Sequence, residues 1–204
     1  MNNKEQMNAA DQVNDPKFTV DLSGTGLKKS LDVLFLKDVT DPMVCVEVGC
    51  FEGQGSITLC KTLCKHPNSK VLCIDPFDDE YVKGSAEMSF WNHACKGQHS
   101  RFMHNTSGYP IEVMQGMSQD KIPQLLDASI DFAYIDGDHR PEEVYKDAMC
   151  MFPKMKQGGI ILFDDYLWVV NGIHTKPGID KFIASMGNKI EVIFRDYQLA
   201  LRVL

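Results

Sequence analysis

Five short apolar runs, each closing on an acidic residue or a glycine, alternate with helical patterns along most of this 204-residue chain. They read MVCVEVG (Met43 to Gly49), VLCID (Val71 to Asp75), IEVMQG (Ile111 to Gly116), IDFAYID (Ile130 to Asp136) and GGIILFDD (Gly158 to Asp165). Runs of this kind suit strands buried on both faces, and parallel strands need helical crossovers that cover the sheet. Two further runs, IEVIF (Ile190 to Phe194) and LALRVL (Leu199 to Leu204), flank a short RDYQ link and predict a closing antiparallel hairpin. The fold class expected is therefore α/β: a doubly wound, mostly parallel seven-stranded sheet with helices on both faces.

The segments between the runs carry helical spacing. Leu27, Leu31, Leu34 and Phe35 predict a helix over 25–38, and ITLCKTLCKH, beginning at Ile57, another. Helices are also expected over 118–127, over 141–155 with Pro141 in the first turn, and over 178–186. Residues 1–16 are polar and aperiodic and read as a flexible arm, leaving 17–204 as a single domain. Within it, residues 77–110 exceed an ordinary strand-to-helix connection and read as a substrate-side insertion. Tyr81, Trp91, His104 and Asn105 are its candidates for a substrate wall, although Phe90 and Trp91 suit anchoring to the core equally well.

With 44% hydrophobic residues, a chain of this length builds a sizeable core without disulfides or a structural metal. Its seven cysteines are odd in number, lack any CxxC spacing and lie mostly in apolar stretches, so reduced thiols are expected. Asp and Glu number 28 against 21 Lys and Arg, and the net charge of −7 comes without a basic track, which argues against a nucleic-acid partner. No run of about 18 apolar residues and no export-type leader is present, so a soluble, cytoplasmic protein without a membrane partner is expected. A homodimer through the N-terminal helix or the aromatic surface is compatible with the sequence.

In doubly wound sheets, ligands lie beyond the carboxyl ends of the strands. The first such end reads Glu47-Val-Gly49-Cys-Phe-Glu-Gly53-Gln-Gly55-Ser56, which lacks the GxGxxG spacing of a dinucleotide site. Gly49 and Gly53 permit sharp turns and close backbone approach, while Glu47 offers an acceptor to a cationic amino-acid moiety. Asp75, ending the second run, suits the hydroxyls of a ribose. An ordinary turn and a helix cap explain these residues singly; the combination in register points to a ligand.

Through VEVGCFEGQGS, VLCIDPF and IDFAYIDGDH the sequence resembles the class I S-adenosylmethionine-dependent methyltransferases. That resemblance implies that Glu47, Gly49, Gly53 and Ser56 surround the methionine part of the cofactor. It also implies that Asp75 holds the ribose, that Met117 and Ser118 lie near adenine, and that Asp136 borders the same cleft.

If the sheet is parallel, Asp136, Asp138 and His139 converge with Asp164 and Asp165 from the neighbouring strand. Clustered carboxylates raise one another's proton affinity, and a hard divalent cation, Mg²⁺ in the simplest case, relieves this. His139 leaves a zinc-like site open. The set IDGDH, PEEVYKDA and KQGGIILFDDY is similar to the macrocin and novobiocin sugar O-methyltransferases and, more distantly, to catechol O-methyltransferase. This resemblance implies Asp136, Asp164 and Asp165 as Mg²⁺ ligands and Asp138 as general base. His139 departs from that pattern and offers an imidazole for the same role.

The function expected is S-adenosylmethionine-dependent, Mg²⁺-dependent O-methylation of a small molecule with vicinal oxygens, sugar-like or catechol-like. Two other readings stand beside it. One is a metal-dependent phosphoesterase, which lacks the further His-rich motifs of a two-metal site. The other is a cofactor-binding protein of the same fold without turnover.

Overall fold

The computed structural model describes residues 15–22, 26–34, 36–78 and 94–204. Strands β1 (Val44–Val48), β2 (Lys70–Asp75), β3 (Ile111–Gln115), β4 (Ile130–Ile135), β5 (Met155–Phe163), β8 (Ile190–Arg195) and β9 (Leu199–Val203) form one seven-stranded sheet, ordered β3-β2-β1-β4-β5-β9-β8. The first five run parallel, and β9 enters antiparallel between β5 and β8. The expected α/β class and the closing hairpin are both present. A two-stranded ribbon, β6 (Val169–Val170) with β7 (Ile173–His174), follows β5 and has no counterpart in the sequence pattern.

The helices are α1 (Leu27–Val33), α2 (Gln54–Leu63), α3 (Gln98–Asn105), the single turn α4 (Ser118–Lys121), α5 (Pro141–Met151) and α6 (Lys176–Met186). The helix expected over 25–38 is shorter, Leu27–Val33, with a separate 3₁₀ turn at Leu36–Asp38, and α2 starts three residues before Ile57; three further boundaries differ at prolines. The helix expected over 118–127 stops after one turn and tightens into a 3₁₀ turn at Ile122–Gln124, because Pro123 supplies no N–H to an α ladder. Pro153 likewise ends α5 in a 3₁₀ turn, Phe152–Lys154, from which β5 departs. α6 starts two residues earlier than expected, with Pro177 in its first turn, where a missing N–H costs nothing.

Each sheet face carries its own core. Alternate residues of the central strands point to opposite sides. Val46, Val48, Ala133, Ile135, Ile161 and Phe163 meet α5 and α6 through Val144, Ala148, Met151, Ile179 and Phe182. Cys45, Cys73, Phe132, Tyr134 and Leu162 meet α1, α2 and α3 through Leu31, Leu59, Leu63 and Phe102. None of the seven cysteines is paired in a disulfide. Among the described residues, no helix is long and apolar enough to cross a membrane.

Strand order reverses direction between β1 and β4, which opens a crevice at their carboxyl ends. Phe182 supports that region from below, buried completely, with its ring centroid 6.1 Å from Phe163 and 6.2 Å from Phe152. Truncation of Phe182→Ala is expected to cost about 3–5 kcal/mol of unfolding free energy, read by urea denaturation. A loss below about 1 kcal/mol would contradict this packing.

Candidate active site

Main-chain pairing holds the strand ends in line beyond the sheet. Gly49 N donates to Ile74 O at 2.9 Å, Asp136 N to Val48 O at 2.9 Å and Asp164 N to Ile135 O at 3.1 Å. Gly49 has φ +84°, and a Cβ there would overlap the Asp136 carbonyl oxygen. The glycine is thus what lets the first loop lie against the fourth. Gly53, at φ +85°, caps α2, and a Cβ on it would run into Thr106 and Phe102.

A cleft of about 180 Å³ opens over this loop. Its floor holds Glu47, Gly49, Cys50, Tyr134 and Asp136, and its wall includes Phe18, Val20, Leu22 and Leu27. Glu47 is only 1% exposed. Ser56 donates its hydroxyl to Glu47, yet burial dominates and pushes the carboxyl up to about 8. Asp75 accepts N–H bonds from Cys50 at 2.7 Å, Phe51 at 3.0 Å and Phe77 at 2.7 Å, so it ties the glycine loop to the end of β2. Burial raises its proton affinity and these three bonds oppose that rise. Met117 lies half-buried and extended after β3, followed by Ser118, whose hydroxyl donates to Asp147 at 2.6 Å.

The acidic residues that follow β4 and β5 lie together. Ligand atoms of Asp136, His139 and Asp165 all lie within 4.8 Å of one another, with His139 Nε2 3.0 Å from Asp165. Asp164 sits beside them, its carboxylate engaged by the Gln198 amide and the Tyr134 hydroxyl. Asp138 lines the same hollow as Asp136, His139 and Asp165, and Arg140 donates to it from its backbone N–H and its guanidinium. Desolvation, with Asp164 and Asp165 close by, drives the proton affinity of Asp136 well above the carboxylate range. Asp164 moves the same way through burial and Asp165. Asp136 borders both the cleft and the smaller hollow formed with Asp138, His139 and Asp165.

Two participants escaped the sequence reading. Tyr197 and Gln198, in the hairpin link, reach across to Asp165 (2.7 Å) and Asp164, and Gln198 also accepts from Ser30 of α1 at 2.5 Å. The RDYQ link looked like a plain turn, and no local signal marks it otherwise. Of Tyr166, Trp168 and His174, which follow β5 in sequence and suit a loop closing over an acceptor, Trp168 lies against His139 with ring centroids 4.4 Å apart. Tyr166, in contrast, is a core residue, 2% exposed and donating to Asp180. Of the expected substrate wall, Tyr81 and Trp91 lie outside the described residues, as does Phe90, the other anchor candidate. Asn105 is fully buried and instead pairs with the backbone of Lys17. Residues 17–22 are further held by Thr19 donating to Glu52 and Leu22 N donating to Gln54, and so form one side of the cleft.

Residues 46–166 match the family model described as Methyltransferase domain, more than half of the chain, and the protein belongs to that family. An uncharacterized protein, R132, from Acanthamoeba polyphaga mimivirus is 29% identical over 150 residues, 72% of this chain and 62% of that protein, so the match spans under two thirds of the relative's length. Among solved structures, the O-methyltransferase NovP superposes with a TM-score of 0.65 at 19% identity, over 87% of this chain and 78% of NovP. TomG, an O-methyltransferase from Streptomyces achromogenes solved with S-adenosylmethionine, gives 0.59 at 16% identity, over 93% and 83%.

Asp147, 2% exposed between the Ser118 and Gly137 loops, is pushed up to about 6 by burial. Its unfolded value lies near 4, so the native state favours the protonated form. The associated stability is full below about pH 4 and is lost as pH rises through 6. Asp147→Asn should therefore match the wild type near pH 4 and exceed it by roughly 3 kcal/mol or less at pH 7.5. Parallel urea melts at the two pH values check this; a gap that does not widen would refute it.

Proposed function

We propose that this protein transfers the methyl group of S-adenosylmethionine to a hydroxyl of a small molecule with two neighbouring oxygens, sugar-like or catechol-like. The observation that carries the reading is Asp136, shared between the cleft and the acidic hollow, which sets donor and acceptor sites side by side. Family membership favours methyl transfer over the phosphoesterase reading. In this reading Glu47, Gly49, Gly53 and Ser56 receive the methionine part. Asp75 takes a ribose hydroxyl on the acceptor capacity its three N–H bonds leave free, since a carboxylate has about four acceptor sites. Met117 and Ser118 flank adenine.

The donor set of Asp136, His139 and Asp165 fits a divalent cation, and Asp164 stands next to it as a further oxygen donor. Oxygen-rich ligands favour Mg²⁺ or Mn²⁺, and the imidazole adds tolerance for softer ions. Such an ion, when bound, would lower the pKa of an acceptor hydroxyl. The chain's own work is to orient and deprotonate. Asp138 accepts the proton once Arg140 releases it, with His139 the rival base. Since the sulfonium methyl is already activated, positioning and proton removal suffice, without a covalent enzyme intermediate.

Calorimetry is expected to show binding of S-adenosylmethionine and of its demethylated product, and Asp75→Ala should weaken both at least tenfold. Silence from both ligands would remove the assignment. Methylation of vicinal-oxygen acceptors should stop in EDTA and return with Mg²⁺; full activity in the chelator would discard the metal. Asp138→Asn should leave cofactor affinity within about twofold and cut turnover about 10²-fold or more. Wild-type turnover there, with loss in His139→Ala, would move the base to His139.

A further inference from the structure

Beneath the cleft, a second convergence of ligand atoms involves different chemistry. The Glu47 carboxylate and the Cys50 and Cys73 thiols lie within 4.8 Å of one another, all three buried. The register brings them together: Glu47 on β1 pairs directly with Cys73 on β2, and Cys50 follows three residues after Glu47 as the chain turns at Gly49. Cys73 Sγ is 3.8 Å from a Glu47 oxygen and 3.4 Å from the Ser56 hydroxyl. Cys50 Sγ approaches the carbonyls of Glu47 (3.6 Å) and Ile74 (3.7 Å). These are long, weak contacts, readily exchanged for stronger ones. No basic side chain forms an ion pair with Glu47 among the described residues.

We propose that Glu47, Cys50 and Cys73 form a site for a thiophilic dication, Zn²⁺ being the model ion, entered through the cleft and mutually exclusive with S-adenosylmethionine. Two sulfurs and one carboxylate oxygen make three ligands of a tetrahedral zinc centre, and Glu47 and Cys50 line the cleft, from which a fourth ligand would come. Binding releases the two thiol protons and the proton held by the Glu47 carboxyl to the buffer. Burial opposes charge on Glu47 and Cys50, and a dication offsets what water cannot. This site differs from the acidic hollow, whose donors are two carboxylates and an imidazole and which contains no sulfur. The exclusivity rests on the reading that Glu47 receives the cationic part of the cofactor: one buried carboxylate cannot serve both.

The test uses the full chain, reduced and stripped of metal, titrated with Co²⁺ as a spectroscopic stand-in for zinc. An intense near-ultraviolet thiolate-to-cobalt band should appear, bleach on adding Zn²⁺, persist in Cys150→Ser and vanish in both Cys50→Ser and Cys73→Ser. Circular dichroism confirms that the variants fold, and having two of them guards against one that does not. With S-adenosylmethionine at 100 times its calorimetric Kd, the apparent metal Kd should rise about 100-fold. No sulfur band, or a band unchanged in both variants, overturns the site. A band insensitive to S-adenosylmethionine that calorimetry shows to be bound overturns the exclusivity. Failure of calorimetric binding instead sinks the cofactor reading, and the cobalt band then judges the metal site alone.

Discussion

The close approach of Gly49 to the Asp136 carbonyl governs how this protein brings its two sites together. With no Cβ in the way, the loop after β1 settles against the end of β4, and Asp136 faces the cleft on one side and the acidic hollow on the other. A side chain at Gly49 would force these loops apart at an already unfavourable backbone angle. Methyl transfer demands that donor and acceptor meet within a few ångströms in line, so a displacement there would be felt in chemistry before it was felt in overall stability.

Around that contact the molecule places an unusual density of buried acid. Glu47, Asp75, Asp136, Asp147, Asp164 and Asp165 all end or overlook strands at one edge of the sheet, and five of the six have their proton affinity raised, chiefly by burial. Uncompensated, this arrangement is costly; hydrogen bonds from Ser56, Ser118, Gln198, Tyr134 and three backbone amides offset part of it. What remains calls for positive charge from outside the chain. A sulfonium cofactor and a hard cation answer that need in the proposed reaction, and a thiophilic ion competes for the same carboxylate under the glycine loop.

The mostly parallel sheet, its closing hairpin and the residues at its strand ends were legible because burial on both faces leaves an apolar signature; the strand order came from the structure. The glycines, Glu47, Asp75, Asp136 and Asp165 were singled out in this way, and the structure brings Glu47, Gly49 and Asp136 to one cleft and Asp136 with Asp165 to one hollow. Helix lengths were read less well: Pro123 and Pro153 cut patterns whose apolar spacing continued past them. Asp138 and Asp164 were placed near the centre without their partners: Arg140, only two residues along, holds Asp138, while Gln198 reaches Asp164 from the hairpin link.

Local sequence by itself determined the α/β class, the glycine turn and the candidate ligands, since each depends on residues within a few positions of one another. Tertiary structure alone decided that Tyr197 and Gln198 would brace Asp165 and Asp164, that Asn105 would hold Lys17, and that Cys50 and Cys73 would gather beside Glu47. These contacts join segments separated by 23 to 88 positions, and their formation depends on strand register and helix docking, which no single stretch of sequence encodes.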